Sequence, residues 1–247
     1  MTKALAYLHN DCRARVLHLD VKPENILLDE NFRAQVSDFG LSRLMGKDES
    51  RILTTVRGTR GYLAPEWFIG RGVSEKCDIY SYGMVLLELV CGRRSLRLVG
   101  DAAQREWSYL PRIVMEKVNQ GRMMEVVDER LIRGGGGGAV VAEREVRVLV
   151  YVALWCVREE SKLRPSMAEV VDMLQGRVEV EAPPLETEML ILDLLTMEHL
   201  TLGGGDGGRD CRIDDAAAAA PAAVRQLESQ SPVPSTYSIA TTILSGR

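Results

Sequence analysis

At 247 residues, 46% apolar and 27% charged, with a formal net charge of −4, the chain reads as a globular protein of one or two domains. It carries no basic surplus that calls for nucleic acid. Five cysteines (12, 77, 91, 156 and 211) are odd in number and form no Cys-x-x-Cys pair, which fits reduced thiols in a cytosolic compartment better than a disulfide framework or a zinc site.

In chain order, Ala4, Leu5 and Leu8 stand at helical spacing, so Ala4 to Asn10 is expected as the end of a helix. After Val16-Leu17 comes His18-Leu19-Asp20-Val21-Lys22-Pro23-Glu24-Asn25, which offers a carboxylate, an ammonium two residues on and an amide three beyond that. Ile26-Leu27-Leu28 and Ala34-Gln35-Val36-Ser37 flank the polar run Asp29 to Arg33 and predict a short antiparallel hairpin. Asn25 and Asp38 then fall at the same end of that hairpin, as two ligands of one metal ion require. Such a set suits phosphoryl transfer, which asks the protein to position an acceptor hydroxyl, neutralise phosphate oxygens and hold Mg²⁺. On this reading Asp20 orients the hydroxyl, Lys22 meets the travelling phosphate, and Asn25 with Asp38 supplies hard oxygen ligands.

Leu41 to Leu63 is polar and predicts a long surface loop, of the kind that is usually functional or disordered. Ser74 to Val90 is the clearest helix: Ser74 is a suitable N-cap, Gly92 a suitable stop, and the apolar residues leave almost no wet face. Asp78 inside it needs hydrogen-bond partners, because an ionised carboxylate buried there is otherwise costly. Beyond Gly92 the pattern is helical throughout. Pro111 to Gln120 ends before Gly121, Glu143 to Val157 presents Val146, Leu149, Val150, Ala153 and Trp155, and Ser166 with Glu169 forms a capping box ahead of a helix that stops at Gly176. Val140 to Val157 is the most apolar stretch, and Glu143, Arg144, Glu145 and Arg147 leave it short of a membrane span. Residues 1–5 do not open a signal peptide. The glycine runs 134–138 and 203–208 lack the Lys-Ser/Thr of a phosphate loop and read as flexible insertions. From Arg177 the composition predicts a disordered tail over 177–247, with a short apolar turn or helix at Met189 to Leu195.

The motifs Asp20-Val21-Lys22-Pro23-Glu24-Asn25, Asp38-Phe39-Gly40 and Ala64-Pro65-Glu66 occur in the order found in the eukaryotic protein kinases, and the chain resembles that family from its start to about Gly176. Arg57 to Trp67 and Asp78 to Glu88 narrow the resemblance to plant receptor-like kinases with S-domain lectin-type ectodomains. The resemblance implies a mainly α fold, the kinase C-terminal lobe over residues 1–176, with a helical bundle, a β-hairpin at the cleft and the N-terminal β lobe absent. It implies a serine/threonine kinase, Lys22 marking the Ser/Thr form of the loop, with ATP and Mg²⁺ as cofactors and a protein as substrate. Asp20 and Lys22 take the catalytic roles, Lys22, Asn25 and Asp38 meet the nucleotide, and Asn25 and Asp38 hold the metal. Residues 41–63 become the activation segment, with Thr54, Thr55 and Thr59 as phosphorylation candidates, against the plainer reading of an unmodified mobile loop. Asp78 either caps its own helix or, by resemblance, holds the catalytic loop through backbone N–H groups. Arg164 is expected to fork onto Glu66 as a structural bolt. Leu19 departs from the family, which usually has an arginine before the catalytic aspartate. The glycine-rich loop, strand lysine and helix glutamate of the other lobe are also missing, so the expected form is incomplete, with a cytoplasmic kinase domain of a plasma-membrane receptor as the full-length context. The alternative is a catalytically silent module that binds another kinase, the missing lobe or a substrate through apolar surface around Val16, Leu17, Leu27 and Phe39.

Overall fold

The computed structural model describes residues 1–46, 48–70, 72–100, 106–133 and 142–184. Among them the fold is mainly helical, as expected, with three two-stranded antiparallel sheets and one isolated antiparallel bridge between Ile52 and Val73. Both glycine runs and residues 185–247, including Met189 to Leu195, lie outside the described residues.

The element that positions everything else is α2 (Glu75–Cys91). Ser74 Oγ accepts the Lys76 N–H at 3.3 Å to start it, and Gly92 ends it in the left-handed region at φ 64°, where a Cβ is unfavourable. Ile79, Met84 and Leu87 are fully buried, and Leu89 is its large exposed apolar residue. α5 (Glu143–Cys156) packs along it. The two backbones come close at Gly83, where a Cβ would stand 2.6 Å from Cys156 Cβ and 2.9 Å from the Ala153 carbonyl oxygen. α1 (Thr2–Ala6), continued by a π turn over Tyr7–Asp11, lies against α6 (Met167–Leu174) and buries Leu5 and Leu8. The Ser166 capping box forms at the head of α6, with Ser166 N–H on Glu169 at 2.6 Å and Glu169 N–H on Ser166 Oγ at 3.2 Å.

The predicted hairpin forms as β2 (Ile26–Leu28) and β3 (Ala34–Val36). Two further sheets depart from the sequence reading. Val16-Leu17 belongs to β1 (Arg15–Leu17), which pairs with β4 (Arg43–Met45), a strand within the stretch expected to be loop. Met45 and Leu17 are fully buried and Val16 is 9% exposed, so Val16 and Leu17 offer little apolar surface at a cleft. Leu27 and Phe39 are exposed as expected. The stretch after Gly92 is not helical throughout: β5 (Leu96–Val99) pairs with β6 (Glu106–Tyr109) ahead of α3 (Leu110–Asn119), and a short α4 (Glu129–Arg133) follows. Tyr109, fully committed to the core, hydrogen-bonds the hydroxyl of Tyr80 on α2 and anchors the second strand.

The chain beyond Gly176 stays on the body as far as Pro184. The Trp155 indole donates to the Glu181 carbonyl at 3.1 Å, Arg158 donates to the Pro184 carbonyl at 2.6 Å, and Pro183 is buried.

Candidate active site

The loop between β1 and β2 has no regular hydrogen bonding of its own until the single 3-10 turn Pro23–Asn25, so other elements must hold it. Asp78, fully buried on α2, supplies the main support. Its Oδ2 accepts the His18 N–H at 2.8 Å and its Oδ1 the Leu19 N–H at 2.7 Å. His9 Nε2 also bonds Oδ2, at 2.9 Å, which ties the π turn to the same carboxylate. Of the two roles open to Asp78, its contacts are those of a brace for the loop. Leu19 sits in the left-handed region at φ 66°, a conformation that L side chains avoid, and its N–H bond to Asp78 holds it there. The Leu19 side chain is buried.

His18 extends the bracing to the hairpin. Its Nδ1 accepts the Asp20 N–H at 3.2 Å, so the ring proton belongs on Nε2, which faces the Ser37 carbonyl at 3.0 Å. The Phe39 ring lies 4.9 Å from the imidazole. Neither His9 nor His18 had a role from sequence, because their partners stand 69 and 19 residues away.

Asp20, Lys22, Asn25 and Thr59 meet in one cluster. Asp20 Oδ1 accepts the Thr59 hydroxyl at 2.7 Å, and Oδ2 accepts the Asn25 amide at 3.0 Å and lies 3.2 Å from Lys22 Nζ. Lys22 also donates to Thr59 Oγ1 at 2.9 Å. Thr59 was expected beside Thr54 and Thr55 as a phosphorylation candidate. Its hydroxyl instead bridges Asp20 and Lys22, where an added phosphate would face a carboxylate, while Thr55 is exposed and Thr54 half-buried.

Asn25 and Asp38 are drawn to the same end of the hairpin, since the Ser37 N–H and Oγ both bond the Asn25 carbonyl, at 2.9 and 3.0 Å. Two bonds from the Asn25 amide nitrogen, to the Asp20 carbonyl at 2.8 Å and to its carboxylate, leave the side-chain oxygen as the atom able to ligate a metal. Asp38 is exposed, with φ 59°, and its Oδ1 accepts the Gly40 N–H at 3.2 Å. An amide oxygen and a carboxylate fit Mg²⁺, which takes one or two protein oxygens and completes its shell with phosphate and water. Among the described residues no three His, Cys, Asp or Glu side chains are grouped to hold a metal by themselves.

Two networks hold the segment that follows the cluster. Arg164 reaches Glu66 with both terminal nitrogens, at 2.7 and 2.8 Å, and donates to the carbonyls of Lys76, Arg158 and Glu159. Burial pushes the Glu66 carboxyl up, but the Arg164 guanidinium outweighs it and holds the group below its ordinary value of 4.5. The second network was not foreseen: Glu88 on α2 accepts the Tyr62 hydroxyl at 2.9 Å and the Ser95 N–H at 2.5 Å, and Arg94 donates to Tyr62 at 2.9 Å.

A mainly helical body that braces an Asp-x-Lys-x-x-Asn loop and an Asp-Phe-Gly turn against one central helix defines a protein of the kinase class. Residues 1–174 match the protein kinase domain family, and the chain belongs to it. It is 56% identical over 200 residues to "Probable receptor-like protein kinase At5g20050" of Arabidopsis thaliana, a match that takes in 80% of this chain and 43% of the relative. The G-type lectin S-receptor-like serine/threonine-protein kinase SD2-5 of the same plant is 47% identical over 76% of this chain and 22% of its own length. The corresponding LECRK2 of Oryza sativa subsp. indica is 41% identical over 74% and 22%. The chain therefore spans less than half the length of these relatives. Among the described residues no helix is long and apolar enough to cross a membrane.

Proposed function

We propose that this chain is the C-terminal lobe of a plant receptor-like serine/threonine kinase of the S-domain lectin type, working in the transfer of the ATP γ-phosphate to Ser or Thr of a protein. The observation that carries the reading is the bond from the Thr59 hydroxyl to Asp20 Oδ1, because it is the contact a substrate hydroxyl makes with the group that orients it. Asp20 is then the residue that aligns the acceptor hydroxyl and takes up its proton. Lys22, on both Asp20 and Thr59, supplies positive charge where the phosphoryl group arrives. Asn25 and Asp38 would hold Mg²⁺, which neutralises phosphate oxygens when bound. Full-length relatives of this type would carry the lobe on the cytoplasmic side of the plasma membrane.

The exposed Leu27, Leu28 and Phe39 favour a second reading, a silent module that docks on another kinase or on a kinase N-terminal lobe. The two are separated by phosphate transfer from labelled ATP with Mg²⁺ by residues 1–247, beside Asp20→Asn. Label that vanishes in the variant supports the kinase, and no label from folded protein supports the module.

A further inference from the structure

The β5–β6 hairpin supplies no side chain to the cluster of Asp20, Lys22, Asn25 and Thr59, yet it meets the turn that carries Thr59 at Arg60 and at Gly61. The Arg60 guanidinium carbon lies 4.7 Å from the centre of the Trp107 ring on β6. Gly61, at φ 90°, comes so close to the start of β5 that a Cβ there would stand 3.1 Å from Ser95 Oγ and 3.2 Å from Leu96 Cβ. Its carbonyl accepts the Ser95 hydroxyl at 3.2 Å. The Tyr62 N–H closes the turn on the Thr59 carbonyl at 3.1 Å.

The two ends of this turn are fixed differently. At its far end the Tyr62 carbonyl accepts the Ser81 hydroxyl of α2 at 2.7 Å, and the Tyr62 hydroxyl donates to Glu88. At its near end Arg60, the neighbour of Thr59, reaches from the turn to the second strand of the hairpin. A guanidinium over the face of an indole is attracted by the ring quadrupole, and its flat shape sets both distance and direction. Trp107 is itself placed by strand pairing, opposite Leu98, while Tyr109 two residues on bonds the Tyr80 hydroxyl in the core. A chain of contacts thus runs from the Tyr109 anchor along β6 to Trp107, across to Arg60, and so to Thr59, whose hydroxyl lies between Asp20 and Lys22.

We propose that Trp107 is a positioning residue for the acceptor site: through Arg60 it holds the 59–62 turn, and with it the Thr59 hydroxyl that orients Asp20 and Lys22. The inference rests on the kinase reading for what the cluster does. Removing the ring leaves every group of the cluster present but less firmly aligned, which lowers turnover more than it lowers affinity for a substrate peptide.

The test uses residues 1–247 with Trp107→Leu, Trp107→Phe, Arg60→Ala, and Arg60→Ala combined with Trp107→Leu. Hydrogen exchange at the Tyr62 N–H, read by NMR, reports opening of the turn without any need for activity. Labelled ATP with Mg²⁺ and a serine peptide gives kcat and KM. Trp107→Leu and Arg60→Ala are each expected to speed exchange at Tyr62 roughly two- to fivefold, the range for a partly exposed contact between a cation and a ring. The double variant is expected to be no faster than either single one, because both remove the same contact. Trp107→Phe, which keeps a ring, is expected to stay within about twofold of the native rate. In Trp107→Leu and Arg60→Ala kcat should fall by a similar factor with KM unchanged. Circular dichroism checks that each variant is folded, and Arg60→Ala, which alters neither strand, probes the contact from its other side. Unchanged exchange in folded Arg60→Ala, or effects that multiply in the double variant, overturns the proposal. Exchange that responds as expected in a chain that transfers no label upholds the hold of Trp107 on Thr59 and removes the kinase reading, whereas transfer by the native chain with exchange unchanged in the variants does the opposite.

Discussion

Asp78 and Leu19 are joined by a 2.7 Å bond from a backbone N–H to a fully buried carboxylate oxygen, across 59 residues of sequence. Through it the central helix holds the candidate catalytic loop in a left-handed turn that Leu19 would not adopt alone. The geometry of Asp20, one residue on, thus depends on a residue that touches no substrate.

Asp78→Ala should therefore strip acceptors from His18 N–H, Leu19 N–H and His9 Nε2 together. With each orphaned buried donor costing on the order of 1–3 kcal/mol, a loss of at least ~3 kcal/mol is expected, read as a lower urea midpoint. A midpoint within experimental scatter of the native chain would show that the carboxylate does not hold the loop.

The Glu66–Arg164 pair makes a prediction with a definite pH direction. The folded Glu66 carboxyl lies below its ordinary 4.5, because Arg164 outweighs the upward push of burial. Its contribution is present in full above pH 4.5 and falls away as pH drops through the lower, folded value. Unfolding midpoints measured from pH 7 downward should fall less steeply on acidification in Glu66→Gln. At neutral pH Arg164→Ala should cost about 3–5 kcal/mol, since it leaves a buried carboxylate without its partner. The Glu66→Met, Arg164→Met double variant should cost less than either change to alanine. Equal slopes in the native chain and Glu66→Gln would remove the linkage.

Gly83→Ala tests the packing of α2 on α5. A new Cβ would meet Cys156 Cβ at 2.6 Å, Val157 Cγ1 at 2.8 Å and a backbone oxygen at 2.9 Å, so the helices must separate. The expected loss is about 1–3 kcal/mol, although alanine is otherwise the better helix former. A gain in stability would mean the helices yield freely.

Asp38→Asn tests the metal assignment. Replacing the carboxylate by an amide removes the charged member of the proposed Mg²⁺ pair, and nucleotide binding by calorimetry should lose its Mg²⁺ dependence. Binding that still rises with Mg²⁺ to the native extent would sink the assignment.

The sequence determined what local chemistry could carry. Ser74 and Gly92 bound α2, Ser166 and Glu169 cap α6, and the short runs flanking the polar stretch Asp29 to Arg33 make the β2–β3 hairpin, since each signal acts over a few residues. It also supplied the motif residues Asp20, Lys22, Asn25 and Asp38. Contacts between distant segments were decided only by the tertiary structure. β1 finds β4, and β5 and β6 form where a helical period was read, because a three- or four-residue strand has too few residues to show a period and is fixed by its partner. Thr59 looked like one more loop hydroxyl, and its place between Asp20 and Lys22 exists because the segment around it is packed down by Tyr62, Glu88 and Arg94. Sequence specifies which side chains can make a charge-assisted bond. Which of them come within 3 Å of each other is set by how α2 gathers loops that lie tens of residues apart along the chain.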